Sequence, residues 1–196
     1  MLANRQDGTY FITDQEAYDA LFVTVAQVKK QLNISHSEDD DLIELLIGAA
    51  QDMFQSETGL FVNRQPIAYK CATWPTDEFC ITRGPWPDTE PINGGMSYYN
   101  SDDDIVICTD CSFYVSNNTL RIRMGSRPNL YDRGDAIYIE YDCGWETIPK
   151  AVIHAVILIA AHLYNNRDIV IVGASVSEQL PFTLQALINQ FKVRVI

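Results

Sequence analysis

Positive charge is what this sequence has least of: 14 Lys and Arg stand against 26 Asp and Glu, for a formal net charge of −12. A duplex-binding surface needs clustered Lys and Arg to neutralise phosphates, so general nucleic-acid binding is excluded as the main role. Histidine is scarcer still, at three residues, and no His-Glu-x-x-His pattern occurs. That removes the helix-borne zinc site of many hydrolases. Neither a G-x-G-x-x-G turn nor a Walker A loop is present, which excludes those two phosphate cradles. The opening stretch "MLANRQDGTYFITDQEAYDALF" has no basic segment followed by an apolar one. It therefore shows no secretory signal, and a cytosol-like compartment is expected. Long apolar runs are missing too. The longest unbroken one, residues 155–161, falls far short of the ~20 residues that cross a bilayer, so no membrane partner is expected.

What is present is enough apolar material for a core: 47% of 196 residues are hydrophobic and 20% charged, which fits one domain, with room for an inserted subdomain. Hydrophobic period divides the chain. Residues 1–22 read as an N-terminal extension. In residues 23–60, "VTVAQVKKQLNI" offers Thr24 as an N-cap and Val25, Val28 and Leu32 as an apolar set, and "DDDLIELLIGAAQDMFQSETG" follows as a second helix that Gly59 can close. Ser37 or Asp39 can cap it, and its leading acids lie where the helix dipole favours negative charge. Residues 61–147 switch to period two: "NTLRIRM" sets Leu120, Ile122 and Met124 opposite Arg121 and Arg123, and "DAIYIEYD" alternates Ile137, Ile139 and Tyr141. Such alternation predicts half-buried strands of an inserted antiparallel β-rich subdomain. Residues 148–191 return to helix, with Pro149 at a first turn, Asn165 and Asn166 at a stop, and a second short helix from Pro181 carrying Leu184, Leu187, Ile188 and Phe191 on one face. Residues 192–196 form a tail. The expected fold class is mainly α with an inserted antiparallel β subdomain, a small helical bundle of the α+β kind.

Several local patterns invite a chemical reading, and each has a plainer one. Cys108-Thr109-Asp110-Cys111 is a C-x-x-C, yet Cys71, Cys80 and Cys143 do not make the second pair a structural zinc site needs. Acids beside it work against a reactive thiolate, and an odd count of five cysteines argues for reduced thiols. Around Ser175, "VGASVS" fails the nucleophile-elbow pattern because Ser177 replaces the second glycine. His154 and His162 stand too far apart on one helix to share a metal, and read as satisfied core or interface histidines. The acidic run 38–41 lacks the alternating donors and tight glycine of a calcium loop. No metal or cofactor is expected. "TVAQVKKQLNIS" resembles the first helix of a helix-turn-helix, but the next helix would aim aspartates at phosphates. A DNA-binding regulator, like an enzyme of unrecognised type, is an alternative that these residues do not favour.

The two apolar helices ask for a partner. In the acid-led helix, Leu42, Leu45, Leu46, Ala49 and Met53 form one stripe, while Ile43, Ile47, Ala50 and Phe54 widen it to roughly 200°, about twice a usual core-facing stripe. Residues 151–164 are apolar all round except His154 and His162, which predicts burial on every side by protein. One stripe is expected in the core, and Ile43, Ile47, Ala50 and Phe54 at the interface of a symmetric homo-oligomer, unless the β insertion covers them.

The order of these segments resembles the head–tail connector (head-completion, adaptor) proteins of long-tailed bacteriophages. The likeness runs from about residue 23 to 193 and is carried by Ala49, Ala50, Thr58 and Gly59 in the acid-led helix, by the "YDCGW" to "IPKAV" junction, and by "NRD" leading to "VGASV", Leu180 and Pro181. The resemblance implies a structural subunit without catalysis or cofactor. It would form a ring, typically dodecameric, under the portal protein after packaging, meet a neck, stopper or tail protein on the other side, and pass DNA only as cargo. It would be assembled in the host cytoplasm and reside at the head–tail interface of the virion. The C-terminal segment, Phe191, Lys192, Val193, Arg194, Val195 and Ile196, would reach the portal. Its alternating basic and β-branched residues suit an added strand.

Overall fold

A computed structural model describes residues 8–75, 78–81, 84–86, 94–116, 119–166 and 181–192. The expectations for Ser175, Ser177 and residues 193–196 lie outside these. The chain divides into two compact units. One joins Phe61–Glu146 to the N-terminal residues through Tyr18, and the other joins Asp19–Leu60 to Thr147–Val193.

The first unit is built on β structure. Among the described residues its strands are β1 (Thr9–Ile12), β2 (Gln65–Cys71), β3 (Phe79–Ile81), β4 (Gly94–Tyr99), β5 (Ile105–Ile107), β6 (Cys111–Ser116), β7 (Thr119–Met124) and β8 (Ile137–Cys143). They form a five-stranded sheet in the order β1-β2-β8-β4-β5 and a three-stranded sheet in the order β3-β7-β6, antiparallel throughout. Period two explains the core. In β7, Leu120 and Ile122 turn inward, and in β8, Ile137, Ile139 and Tyr141 do so. The β2–β8 register sets Ile67 against Tyr141, Tyr69 against Ile139 and Cys71 against Ile137. Phe79 and Ile81 of β3 meet Ile122 and Leu120, and both sheets contribute to one buried cluster. Each fully buried side chain of this size contributes about 1.5–3 kcal/mol relative to exposure.

The stems of this unit are tied together. Asn63 and Trp145 form an isolated bridge, Trp145 N–H donates to the Val62 carbonyl at 3.1 Å, and Gly144 N–H donates to Pro85 O at 2.9 Å. A short helix α1 (Gln15–Asp19) follows β1, with Asp14 accepting from Ala17 N–H at 2.9 Å and Asn63 Nδ2 donating to the Ala17 carbonyl at 2.9 Å. Thr9–Ile12, assigned from the sequence to an extension, thus form an edge strand of the larger sheet.

The second unit is helical: α2 (Val25–Leu32), α3 (Asp40–Thr58), α4 (Lys150–Asn165) and α5 (Phe182–Asn189). Thr24 caps α2 in a full capping box with Gln27, and Asn33 ends it in the left-handed conformation; each feature satisfies backbone groups that a helix end leaves open. Gly59, at φ 75°, closes α3 with its N–H on Gln55 O. α3 and α4 pack together, with α2 and α5 against both.

Two expectations are corrected here. The fold is not mainly α: about 35% of the described residues are helix and 29% strand, because the region between the helical segments builds two sheets with their own core. And α4 is not buried all round. Val152, Ala155, Val156, Ile159, Ala160 and Ala161 are buried, while Ile153, Ile157, Leu158 and Leu163 are only half-buried and His154 is exposed. Three neighbouring helices cover one broad side of α4 and leave the rest partly open.

Candidate functional site

The face of α3 expected at an oligomer interface is instead the core of the helical unit. Ile43, Ile47, Ala50 and Phe54 are each 0% exposed. Their flank of α3 also buries Gln51, which accepts from Phe22 N–H at 3.0 Å and donates to the Ala20 carbonyl at 3.3 Å. Thr58, on the same flank, donates to Phe54 O at 2.7 Å. These bonds let polar side chains lie in an apolar stripe without an unpaired group. Of the other stripe Leu46 is buried as well, and its remaining members are open to differing degrees. Leu45 is 70% exposed, Ala49 is exposed, and Leu42 and Met53 are half-buried. With Leu21 near Gly48 and itself exposed, they make an open apolar patch.

The start of α3 is a structural device. Asp39 makes no side-chain cap; its carboxylate accepts from the Tyr164 hydroxyl. Asp40 pairs with Lys29 at 2.6 Å. Residues 33–39 separate α2 from α3, a longer joint than the 3–4-residue turn of a helix-turn-helix. At the other end of the unit, Phe191 lies with its ring centroid 6.0 Å from that of Phe54, so it belongs to the helical packing rather than to a loose tail. Lys192 reaches Glu57 at 3.4 Å, both side chains about half exposed, a contact worth little in water. Residues 193–196 lie outside the described set.

The five cysteines are reduced thiols. Cys108 Sγ donates to Asp110 at 3.3 Å, and Cys111 Sγ donates to the Cys108 carbonyl at 3.4 Å. Burial, then the Asp110 carboxylate, then Cys111 push the Cys108 thiol up to about 12, and burial pushes Cys71 up to about 11. A thiol held neutral is a poor nucleophile. Iodoacetamide at pH 8.5 is therefore expected to modify exposed Cys80 well ahead of Cys108, with the Cys108 rate still rising above pH 10. Peptide mass spectrometry reads both, and early saturation at Cys108 would contradict the geometry. Among the described residues no group of three or more His, Cys, Asp and Glu side chains is gathered to hold a metal ion, and no helix is long and apolar enough to cross a membrane.

On the β unit, Glu78 accepts from the Tyr114 hydroxyl at 2.6 Å and from Arg123 at 3.1 Å, with Arg121 at 3.6 Å. The Tyr114 hydroxyl first, then the guanidinium of Arg123, lowers the Glu78 carboxyl below its ordinary value. The cluster is a surface ion-pair network across the smaller sheet. Among the described residues the exposed large hydrophobics of this unit are Tyr131 and, on two strands of the larger sheet, Phe11 and Ile12 of β1 and Ile105 and Ile107 of β5. Nothing in the stretch "DIVICT" signals that its strand would be outermost.

No curated protein matches the chain in sequence. In fold it is similar to a chain solved in the neck of an empty GTA particle, computed with C6 symmetry (TM-score 0.70, 16% identity, 96% of this chain and 97% of that one). It is also similar to a chain from the virion of a native gene transfer agent (GTA) particle (TM-score 0.70, 18% identity, the same coverage). A chain in the neck of a native GTA particle, computed with C12 symmetry, gives a TM-score of 0.66 at 17% identity, again over 96% and 97%. At such identities the likeness is one of fold. The family profile described as "Phage gp6-like head-tail connector protein" matches residues 22–81 and 118–192, more than half of the chain, and the chain therefore belongs to the phage gp6-like head-tail connector family.

Proposed function

We propose that this protein is a ring-forming connector subunit, homo-oligomeric and dodecameric as the family resemblance implies. The ring docks beneath a portal protein, closes the filled head and receives a neck, stopper or tail protein at the virion's head–tail interface. The observation that carries the reading is the family match, and the outward apolar stripe of α3 supports it. Leu42, Leu45, Ala49 and Met53 offer a surface that a single copy leaves to water, with Leu45 70% exposed, and a contiguous patch of that kind marks an interaction site. The fold relatives from GTA necks, computed with C6 and C12 symmetry, are compatible with a ring. A net charge of −12 suits a wall past which DNA slides as cargo, since like charge repels the genome and does not hold it. The chemistry of the described thiols and carboxylates serves packing and ion pairs, not catalysis.

In this reading the segment after α5, Lys192 with Val193, Arg194, Val195 and Ile196, adds onto the portal. Electron microscopy of the full chain mixed with portal rings is expected to show a second ring stacked on the first. Removing residues 192–196 is expected to leave the thermal midpoint within about 1 °C, since a terminal segment buries little, while weakening portal binding by tenfold or more. A full-length chain that forms no ring on portals would sink the connector reading. A truncated chain that docks as well as the intact one would sink only the role of the tail.

A further inference from the structure

We propose that copies of this chain join head to tail through their five-stranded sheets, β5 of one copy adding as a strand beside β1 of the next. This rests on the ring reading above and gives it a specific contact. Ile105 and Ile107 are 64% and 73% exposed and lie on the outermost strand. Cys108 N–H donates to the Met96 carbonyl at 2.8 Å and Asn100 N–H to the Asp104 carbonyl at 3.0 Å. Antiparallel pairs alternate between exchanging hydrogen bonds and not doing so. With Tyr98 opposite Val106, that alternation makes Val106 the bonded residue and turns the N–H and C=O groups of Ile105 and Ile107 away from β4. Among the described residues no strand takes them. An apolar edge with outward backbone groups is a template for another strand.

The opposite edge of the same sheet offers the complement. On β1, Phe11 is 44% and Ile12 37% exposed. Each step across β1-β2-β8-β4-β5 is antiparallel, so β1 and β5 run in the same direction. Copies related by rotation about a ring axis then pair β5 with β1 in parallel, and a heterologous contact that repeats closes a ring. Charge selects this arrangement over a two-fold β5–β5 pair. An antiparallel β5–β5 pair would set Asp102, Asp103 and Asp104 of each copy near Asp110 of the other. In the parallel pair the acidic end of β5 meets the start of β1, where Lys70 stands opposite Thr9. Lys70 shares a sheet face with Ile107 through the register Lys70–Tyr138–Ser97–Ile107, and its ammonium lies 5.0 Å from the Phe11 ring centroid. Its strand, β2, lies one in from the edge where the acids arrive.

Ile107→Pro removes an outward N–H that β4 does not use, a substitution edge strands tolerate, and Phe11→Glu brings a carboxylate to the other edge. Sedimentation of the full chain over a concentration series is expected to show the wild type associating and each variant at least tenfold weaker, with unchanged far-ultraviolet circular dichroism and thermal midpoint. An equal mixture of the two variants retains one good pair of edges and is expected to stop at a two-copy species. Should Ile107→Pro unfold the protein, Ile107→Lys gives the same readout with the backbone intact. Variants that associate like the wild type, or a mixture without the two-copy species, overturn the edge pairing and leave the ring reading standing. A wild-type chain that stays monomeric at every concentration and on portal rings overturns both.

Discussion

Ile47→Asp is expected to abolish the folded helical unit, where Leu45→Asp, two residues away, is expected to leave it intact. Ile47 is 0% exposed and Leu45 70%. The first substitution loses an apolar transfer of about 2–3 kcal/mol and buries a carboxylate without a partner, at several kcal/mol more. Against a total stability of about 5–15 kcal/mol that is ruinous. The second lies on the open stripe of α3 and should change stability by about 0.5 kcal/mol or less, while placing a charge on the exposed apolar patch of that helix. Soluble yield, circular dichroism and thermal melting read the difference directly. An Ile47→Asp protein that melts like the wild type would mean that the buried face of α3 has been misidentified.

The next largest effect is expected at Gly144. Its φ of +99° disfavours any side chain, and an added Cβ would strike the Asn63 carbonyl and lie 2.6 Å from Arg64 Cα. Both obstacles are backbone, so no side chain can swing aside. A positive-φ penalty of about 1–3 kcal/mol and overpacking of about 1–3 kcal/mol place Gly144→Ala near 4 kcal/mol. In a chain of this size that is a fall in thermal midpoint on the order of 10 °C. Gly134→Ala is the control, because a Cβ there meets nothing within 4 Å, and it should melt within about 1 °C of the wild type. Equal midpoints for the two variants would contradict the tight Asn63–Gly144 approach.

The elements that could be read from sequence are those whose signal is local. Thr24 announces an N-cap, Gly59 a helix end, and the alternation in β7 and β8 names Leu120, Ile122, Ile137 and Ile139 as inward. Where two readings satisfy the same period, sequence does not choose. Leu42–Leu45–Ala49 and Ile43–Ile47–Ala50 are both helical stripes, and Leu45 is as apolar as Ile47. The deciding residue is Gln51, whose partners are backbone groups of residues 20 and 22, and a backbone partner leaves no mark in composition. β1 is four residues long, too short for alternation to stand out from an extension. The extent of β structure is hidden for a related reason: short strands in an apparent insertion give no hint that they join five abreast.

The bridge between Asn63 and Trp145 also bears on how the chain comes to fold. α3 and α4 pack together although residues 61–146 intervene, and bringing the ends of so long a segment together costs entropy. Once the strands have paired, Val62 and Trp145 are already hydrogen-bonded neighbours, and the open stretch between the helices shrinks to the few residues outside them. Loop-closure entropy grows with the logarithm of length, so that shortening relieves the helical unit of about 2 kcal/mol. Strands that pair before the helices dock would thereby act as an intramolecular template, raising the effective concentration of α4 beside α3.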